Sequence, residues 1–257
     1  MCLALVAFRA HPRFELVIAA NRDEFHTRPA APADWWEQGW LAGRDLAAGG
    51  TWLGITRAGR WALLTNVREP ARHDPMAPSR GALVPRLLAA GETTSAALAA
   101  ALGDADGYNG FNLLAGDCRA AYWGSNRAGS LHALAPGIHG LSNAALDTPW
   151  PKVARAKAAL AAWCVAGDGD LEPVFTLLGD RAVAPDAMLP ATGIPLARER
   201  QLSAPFIVGD DYGTRSSTVV AITPRGEARF IERRFDPGAR LIGERDHRFL
   251  LAGRPAP

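Results

Sequence analysis

Cys2-Leu3-Ala4-Leu5-Val6-Ala7-Phe8, the turn His11-Pro12-Arg13, Phe14-Glu15-Leu16-Val17-Ile18-Ala19-Ala20 and then Asn21-Arg22-Asp23-Glu24-Phe25 open the chain. Two apolar runs of strand length flank a proline-containing turn, so the spacing predicts a β-hairpin. An antiparallel hairpin returns the end of its second strand to the start of its first, which places the charged cluster at 21–25 beside Cys2. Removal of Met1, expected because cysteine is small, would leave a thiol and a free α-amine on one residue. That pairing is a nucleophile with its own base, since a terminal amine titrates near roughly 8 and the thiolate is the attacking form. An arginine in the cluster favours the thiolate and a carboxylate holds the ammonium. The plainer alternatives are a cysteine packed as a small hydrophobe and a solvated turn with an internal Arg–Asp pair.

Further along, residues 52–56 and 61–66 flank Arg57-Ala58-Gly59-Arg60 as a second hairpin, with Asn66 at a strand end. The preceding Gly49-Gly50-Thr51-Trp52 reads as a close approach of backbone to a neighbouring loop, with Trp52 in the core. Trp35 and Trp36, between Pro32 and Gly39, read as loop aromatics that could line an apolar pocket for an acyl chain or a porphyrin, or pack beneath the loop. Helices are predicted from about 80 and from a cap at 93–95 to about 102, strands at 111–115, 120–123 and 131–134, and Asn143 at a strand or loop boundary. A helix from Pro151 stops near Gly167, with Cys164 on its core face. Another follows at 172–178, then a proline-rich irregular stretch at 185–205 and strands at 206–208, 218–223 and 229–235. Strands, helices, strands, helices, strands in that order indicate an α+β fold with antiparallel sheets and helices packed on their outer faces.

Composition narrows the function classes. A length of 257 residues suits a single domain over 1–257, and no composition break marks a linker. The net charge of +2 and scattered arginines, with Lys152 and Lys157 the sole lysines, argue against a nucleic-acid partner. No apolar run has the length of a membrane span, and Arg9, Arg13 and Glu15 are unlike a signal peptide, so a cytoplasmic protein is expected. Cys2, Cys118 and Cys164 form neither a CxxC pair nor a metal-like spacing, so no metal site is expected. Nothing resembles a dinucleotide fingerprint or a phosphate loop.

Met1-Cys2, Asn21-Arg22-Asp23-Glu24-Phe25, Gly49-Gly50-Thr51-Trp52-Leu53-Gly54, Leu64-Thr65-Asn66, Tyr108-Asn109-Gly110-Phe111-Asn112-Leu113, Gly140-Leu141-Ser142-Asn143-Ala144, Thr148-Pro149-Trp150 and Tyr212-Gly213-Thr214-Arg215-Ser216 together resemble the signature blocks of the NRDE family. Its eukaryotic branch is the transport and Golgi organisation protein 2 group. The resemblance implies an N-terminal-nucleophile-hydrolase-like fold, a four-layer αββα sandwich of two antiparallel sheets. It also implies, by more distant similarity to cysteine-type amide hydrolases, a catalytic set of Cys2, Arg22, Asp23, Asn66, Asn143 and Arg215. Asp23 and Glu24 both remain candidates for the carboxylate, because the Arg–Asp spacing departs from those hydrolases. The expected reaction is hydrolysis of a non-peptide amide or thioester of a hydrophobic acyl compound, needing no cofactor. The family's association with haem trafficking and with lipid or coenzyme A homeostasis implies an alternative, a carrier on the same scaffold without turnover. Haem would then be the ligand, with Cys2, His26, His73, His132, His139, His247 and the tyrosines as candidate axial groups.

Overall fold

The computed structural model describes residues 2–129 and 131–252. The strands are β1 (Cys2–Phe8), β2 (Leu16–Phe25), β3 (Ala30–Trp35), β4 (Trp40–Asp45), β5 (Leu53–Thr56), β6 (Trp61–Asn66), β7 (Phe111–Gly116), β8 (Ala121–Ser125), β9 (Leu131–Ala133), β10 (Gly137–Leu141), β11 (Tyr212–Ile222), β12 (Glu227–Phe235) and β13 (Leu241–Leu250). The helices are α1 (Leu83–Ala89), α2 (Thr94–Gly103), α3 (Pro151–Ala166), α4 (Glu172–Leu178) and α5 (Leu196–Gln201). One sheet has the order β10-β1-β2-β11-β12-β13 and the other β3-β4-β5-β6-β7-β8-β9, and every pairing is antiparallel.

The opening strands are apolar at nearly every position because both faces of their sheet are covered. Ala4, Val6, Phe8, Leu16 and Ile18 point between the sheets, against Leu41, Leu53, Ile55, Trp61, Leu63 and Leu114. Leu3, Leu5, Ala7, Val17 and Ala19 point the other way, against Val153, Leu160 and Trp163 of α3 and Val174 and Phe175 of α4. On the outer face of the second sheet, Ala62, Leu64, Phe111 and Leu113 meet Leu83, Val84, Leu87 and Leu88 of α1 and Leu98 of α2. The order of layers is therefore helix, sheet, sheet, helix: the expected α+β, αββα sandwich. Burying one Leu, Val or Phe is worth about 2 kcal/mol, so the central seam between sheets is the main source of cohesion.

Local signals hold in detail at several points. Thr93 caps α2 through its hydroxyl, which accepts from Ala96 N. Gly167 ends α3 in the left-handed region at φ 72°. Three readings need correction. Residues 30–45 contain the paired strands β3 and β4, with Trp35 inside β3, where Pro32 and Gly39 suggested a loop. Residues 206–208 are not a strand, although Phe206 and Ile207 are buried. The stretch at 185–205 contains α5, and β13 follows the last expected strand.

Candidate active site

The register of the opening hairpin builds the site. Cys2 lies opposite Arg22, and on the other side of β2 Arg22 lies opposite Ser216 while Asp23 lies opposite Thr214. Strand alternation sends Cys2 and Arg22 toward the seam between sheets, in step with Ala4 and Ala20, and sends Asn21 and Asp23 toward the α3–α4 side, in step with Leu3 and Ala19. A cavity of about 390 Å³ opens at this end of the seam, and Cys2, Arg22, Asp23, Glu24, Trp52 and Asn66 are among its lining residues. Residues 73–75 and 77–81 form the facing wall, contributing His73 and Arg80.

Each polar group is held by named partners. Asp23 Oδ1 accepts from Thr214 Oγ1 at 2.7 Å, and its backbone carbonyl accepts from the Tyr212 hydroxyl at 2.9 Å. Asn21 is spent on the fold: its Nδ2 donates to Leu178 O and Pro205 O, and its Oδ1 accepts from Ser217. The Arg22 guanidinium stacks over Trp52 at 4.5 Å and donates to Asp45 Oδ2 at 3.0 Å, an oxygen that also accepts from Arg28 Nε at 2.6 Å. Burial pushes the Asp45 carboxyl up, but the hydrogen bonds from Arg28 and the Ala48 amide, with the charges of Arg28 and Arg22, outweigh it and hold the group below its usual range. Ser142 Oγ donates to Cys2 O at 2.9 Å, and Asn143 Nδ2 donates to Asn66 O at 2.8 Å, tying the turn after β10 to the starts and ends of β1 and β6. The Asn66 carboxamide has no hydrogen bond among the described residues and lines the cavity.

Burial pushes the Cys2 thiol above its ordinary value, the Asp23 carboxylate adds to the rise, and Arg22 counters it without overcoming it. Asp23 is likewise raised by burial, with Lys152 and the Thr214 hydroxyl pulling it back. Arg22, expected to keep the thiol ionised, is thus largely committed to Asp45 and Trp52.

Four of the six candidate residues, Cys2, Arg22, Asp23 and Asn66, line one cavity together with Glu24. Asn143 reaches it through its bond to Asn66. Arg215 does not. It sits where the register between β2 and β11 shifts, donates to the carbonyls of Phe25, His26 and Arg28, and lines a separate cleft with Arg22, Ser216 and Glu232. Trp52 both packs against the core and lines the cavity, whereas Trp35 and Trp36 line a different hollow, with Arg44 over Trp36 and Arg57 over Trp35. Asp45, Arg28 and Arg80 also line the cavity and Thr214 bonds to Asp23; none of the four was anticipated.

The sequence as a whole matches the family model described as Transport and Golgi organisation 2, over residues 1–237. The chain belongs to the Transport and Golgi organisation 2 family. Among its relatives, the Transport and Golgi organization protein 2 homolog of Bos taurus is 36% identical over 256 residues, covering 91% of this chain and 92% of that protein. The homolog of Homo sapiens is 32% identical over the same coverage. Among solved structures, the crystal structure of the C2A mutant of the conjugated bile acid hydrolase from Clostridium perfringens superposes with a TM-score of 0.52 at 8% identity, over 99% of this chain and 94% of that one. The two share the N-terminal-nucleophile-hydrolase-like fold. For this member of the Transport and Golgi organisation 2 family, the blocks 21–25, 64–66, 140–144 and 212–216 all converge on the end of the seam where Cys2 lies.

The same cavity does not suit haem. Of the candidate axial groups only Cys2 and His73 line it; His26 is bonded to Gly209 O, His139 to Asp147 and Ala135 O, and His247 to Ala33 O. A porphyrin needs two apolar walls, and Arg22, Asp23, Glu24, Arg28, Asp45 and Asp74 line this space, so the residues do not fit the group. Among the described residues no cluster of three or more His, Cys, Asp or Glu is placed to hold a metal ion, and no helix is long and apolar enough to cross a membrane.

Proposed function

We propose that this protein is a cysteine hydrolase of the N-terminal-nucleophile type, cleaving the amide or thioester bond of a small acyl compound. The observation that carries the reading is the placement of Cys2 at the first position of an interior strand, its residue lining a cavity together with Asp23 and Asn66. With Met1 removed, the Cys2 α-amine takes the thiol proton while Sγ attacks the substrate carbonyl carbon. Asn66 donates to the oxyanion, and the C–N or C–S bond breaks as the leaving group takes the proton back. Water then hydrolyses the acyl-cysteine, releasing the acid and restoring the thiol. Asp23 holds the amine in place. The fold shared with the conjugated bile acid hydrolase supports the scaffold, and the chemistry rests on the residues.

The cavity walls suggest the substrate's shape. Trp52, Leu64, Pro75 and Pro78 offer an apolar side for an acyl chain, and Arg80, with no ion pair among the described residues, offers a charge to a polar head. A hydrophobic acyl compound with an anionic end matches both.

The test is an intact mass of C-terminally tagged protein before and after exposure to a β-lactam or an acyl thioester. Loss of Met1 and a single acyl adduct, absent in Cys2→Ala, is the expected result. A retained Met1 or an adduct that persists in Cys2→Ala would sink the reading. A lipid or acyl-coenzyme A carrier without turnover would then be the stronger proposal, read out as saturable ligand binding that survives Cys2→Ala.

A further inference from the structure

A single row of residues crosses the first sheet from strand to strand. Cys2 lies opposite Arg22, Arg22 opposite Ser216, Ser216 opposite Arg234 and Arg234 opposite Gly243, on β1, β2, β11, β12 and β13 in turn. Strand alternation turns this row toward the seam, in step with Ala20, Val220 and Phe230. Arg22 and Arg234 are therefore two strands apart, about 10 Å, with only a serine between them. Like charges so placed repel, and no other member of the row is charged. Arg215, at the bulge beside Ser216, adds a third guanidinium, and Arg22, Arg215, Ser216 and Arg234 all line one cleft. Gly243 makes room for this: a Cβ there would come within 2.6 Å of Arg234 Nη2.

Each of these side chains holds a buried donor with no acceptor. Arg22 Nη1, Arg215 Nε, Arg234 Nε and Ser216 Oγ make no hydrogen bond among the described residues, and Arg22 and Ser216 are only 5% and 4% exposed. The other bonds of the two inner arginines lead away from the cleft: Arg22 Nη2 donates to Asp45, and Arg215 Nη1 to the carbonyls of Phe25, His26 and Arg28. Glu232 is the one carboxylate among the lining residues; its Oε1 accepts from Ala33 N, and it forms no ion pair among the described residues. The cleft thus lacks an acceptor, and with three guanidiniums facing one carboxylate a negatively charged acceptor suits it better than water. Its volume of about 40 Å³ has room for about three water-sized bodies, which admits a single-atom ion and excludes an acyl chain or a nucleotide.

We propose that this cleft is a binding site for a small inorganic monoanion of halide size, held between Arg22, Arg215 and Arg234 with the Ser216 hydroxyl as a neutral donor. Arg22 and Trp52 are the residues it shares with the Cys2 cavity, so a bound ion fixes the guanidinium that borders that cavity. The assignment stands apart from turnover at Cys2.

The test uses bromide as the probe. Protein in sodium gluconate, whose anion is too large for the cleft, is moved stepwise into sodium bromide at constant ionic strength and melted at each step. A ligand that binds only the folded state raises Tm, and at high bromide the wild type is expected to melt about 2–4 °C above its value in gluconate. Arg234→Gln removes one of the three charges and is expected to abolish the rise. Should Arg234→Gln not fold, Ser216→Ala, which deletes a single hydroxyl from the cleft, is expected to diminish it. Anomalous diffraction from bromide-soaked crystals is expected to place the ion against Ser216 Oγ and Arg234. An equal response in wild type and variant, or a wild type without response, overturns the assignment and leaves the cleft to water. So does an anomalous peak without any response in solution, which is binding at crystal concentration only. A rise given by sodium acetate and not by bromide overturns it as well, and assigns the cleft to a carboxylate.

Discussion

Glu232 brings a carboxyl into the seam between the sheets. It is 1% exposed, its Oε1 accepts from Ala33 N at 2.8 Å across the seam, and burial pushes its carboxyl up to about 7. The folded state then binds the proton more tightly than the unfolded chain, whose glutamates titrate near 4.3. Stability is greatest below the unfolded value, falls as pH rises through the window up to about 7, and levels off above it. The loss from this group is of order 3 kcal/mol. Thermal unfolding of wild type and Glu232→Gln at pH 5 and pH 8 checks it: the drop in Tm between the two pH values is expected to shrink in the variant, and an equal drop in both counts against the account. At this scale the site was legible where residues are neighbours in sequence or across one hairpin. Cys2, Arg22 and Asp23 follow from a strand, a turn and a strand, and Asn66 from a second hairpin. Asp45 enters from the end of β4 and Arg80 from the 73–81 wall, whose docking no local pattern specifies, and Arg215, beside a register shift, donates to the carbonyls of 25, 26 and 28.

Among elements, the 73–81 wall and the Gly49-Gly50 turn behave as one piece. Thr51 N donates to Gly81 O at 3.1 Å, and a Cβ on Gly50 would come within 2.3 Å of that same carbonyl oxygen. Gly50→Ala is therefore expected to push the wall outward, lowering stability by about 1–3 kcal/mol and raising the alkylation rate of Cys2. A denaturant melt and an iodoacetamide time course check both halves, and an unchanged rate with unchanged stability would show that the contact is dispensable. The glycine pair was legible as a close approach of backbone because little else explains two adjacent glycines before an apolar strand. The edge strands were not. Pro32 and an irregular register disguise β3, and β13 reads as Leu-Ile-Gly-Glu-Arg-Asp-His-Arg-Phe-Leu because most of its residues face solvent and so carry no apolar alternation. Phe206 and Ile207 looked like a strand for the opposite reason, being buried outside any ladder.

For the whole molecule, the layer order follows from the opening strands, whose apolar character on both faces demands helices on one side and a second sheet on the other. The outermost strand, β13, leaves one edge unpaired, and charges occupy it: Glu244, Arg245, Asp246 and Arg248 are exposed. Replacing Arg245 and Arg248 by valine is expected to leave Tm within about 2 °C, each change lying on the surface, while producing concentration-dependent association in light scattering. Monodisperse scattering from that double variant would show the charges to be unnecessary. The position of β1 between β10 and β2, with β11 beyond, has a consequence for biosynthesis. Cys2 leaves the ribosome about 140 residues before its neighbour Ser142, and Thr214, which fixes Asp23, follows about 70 after that. Until β11 has been made, the surroundings of the thiol are incomplete, because its sheet lacks the strand that holds Asp23.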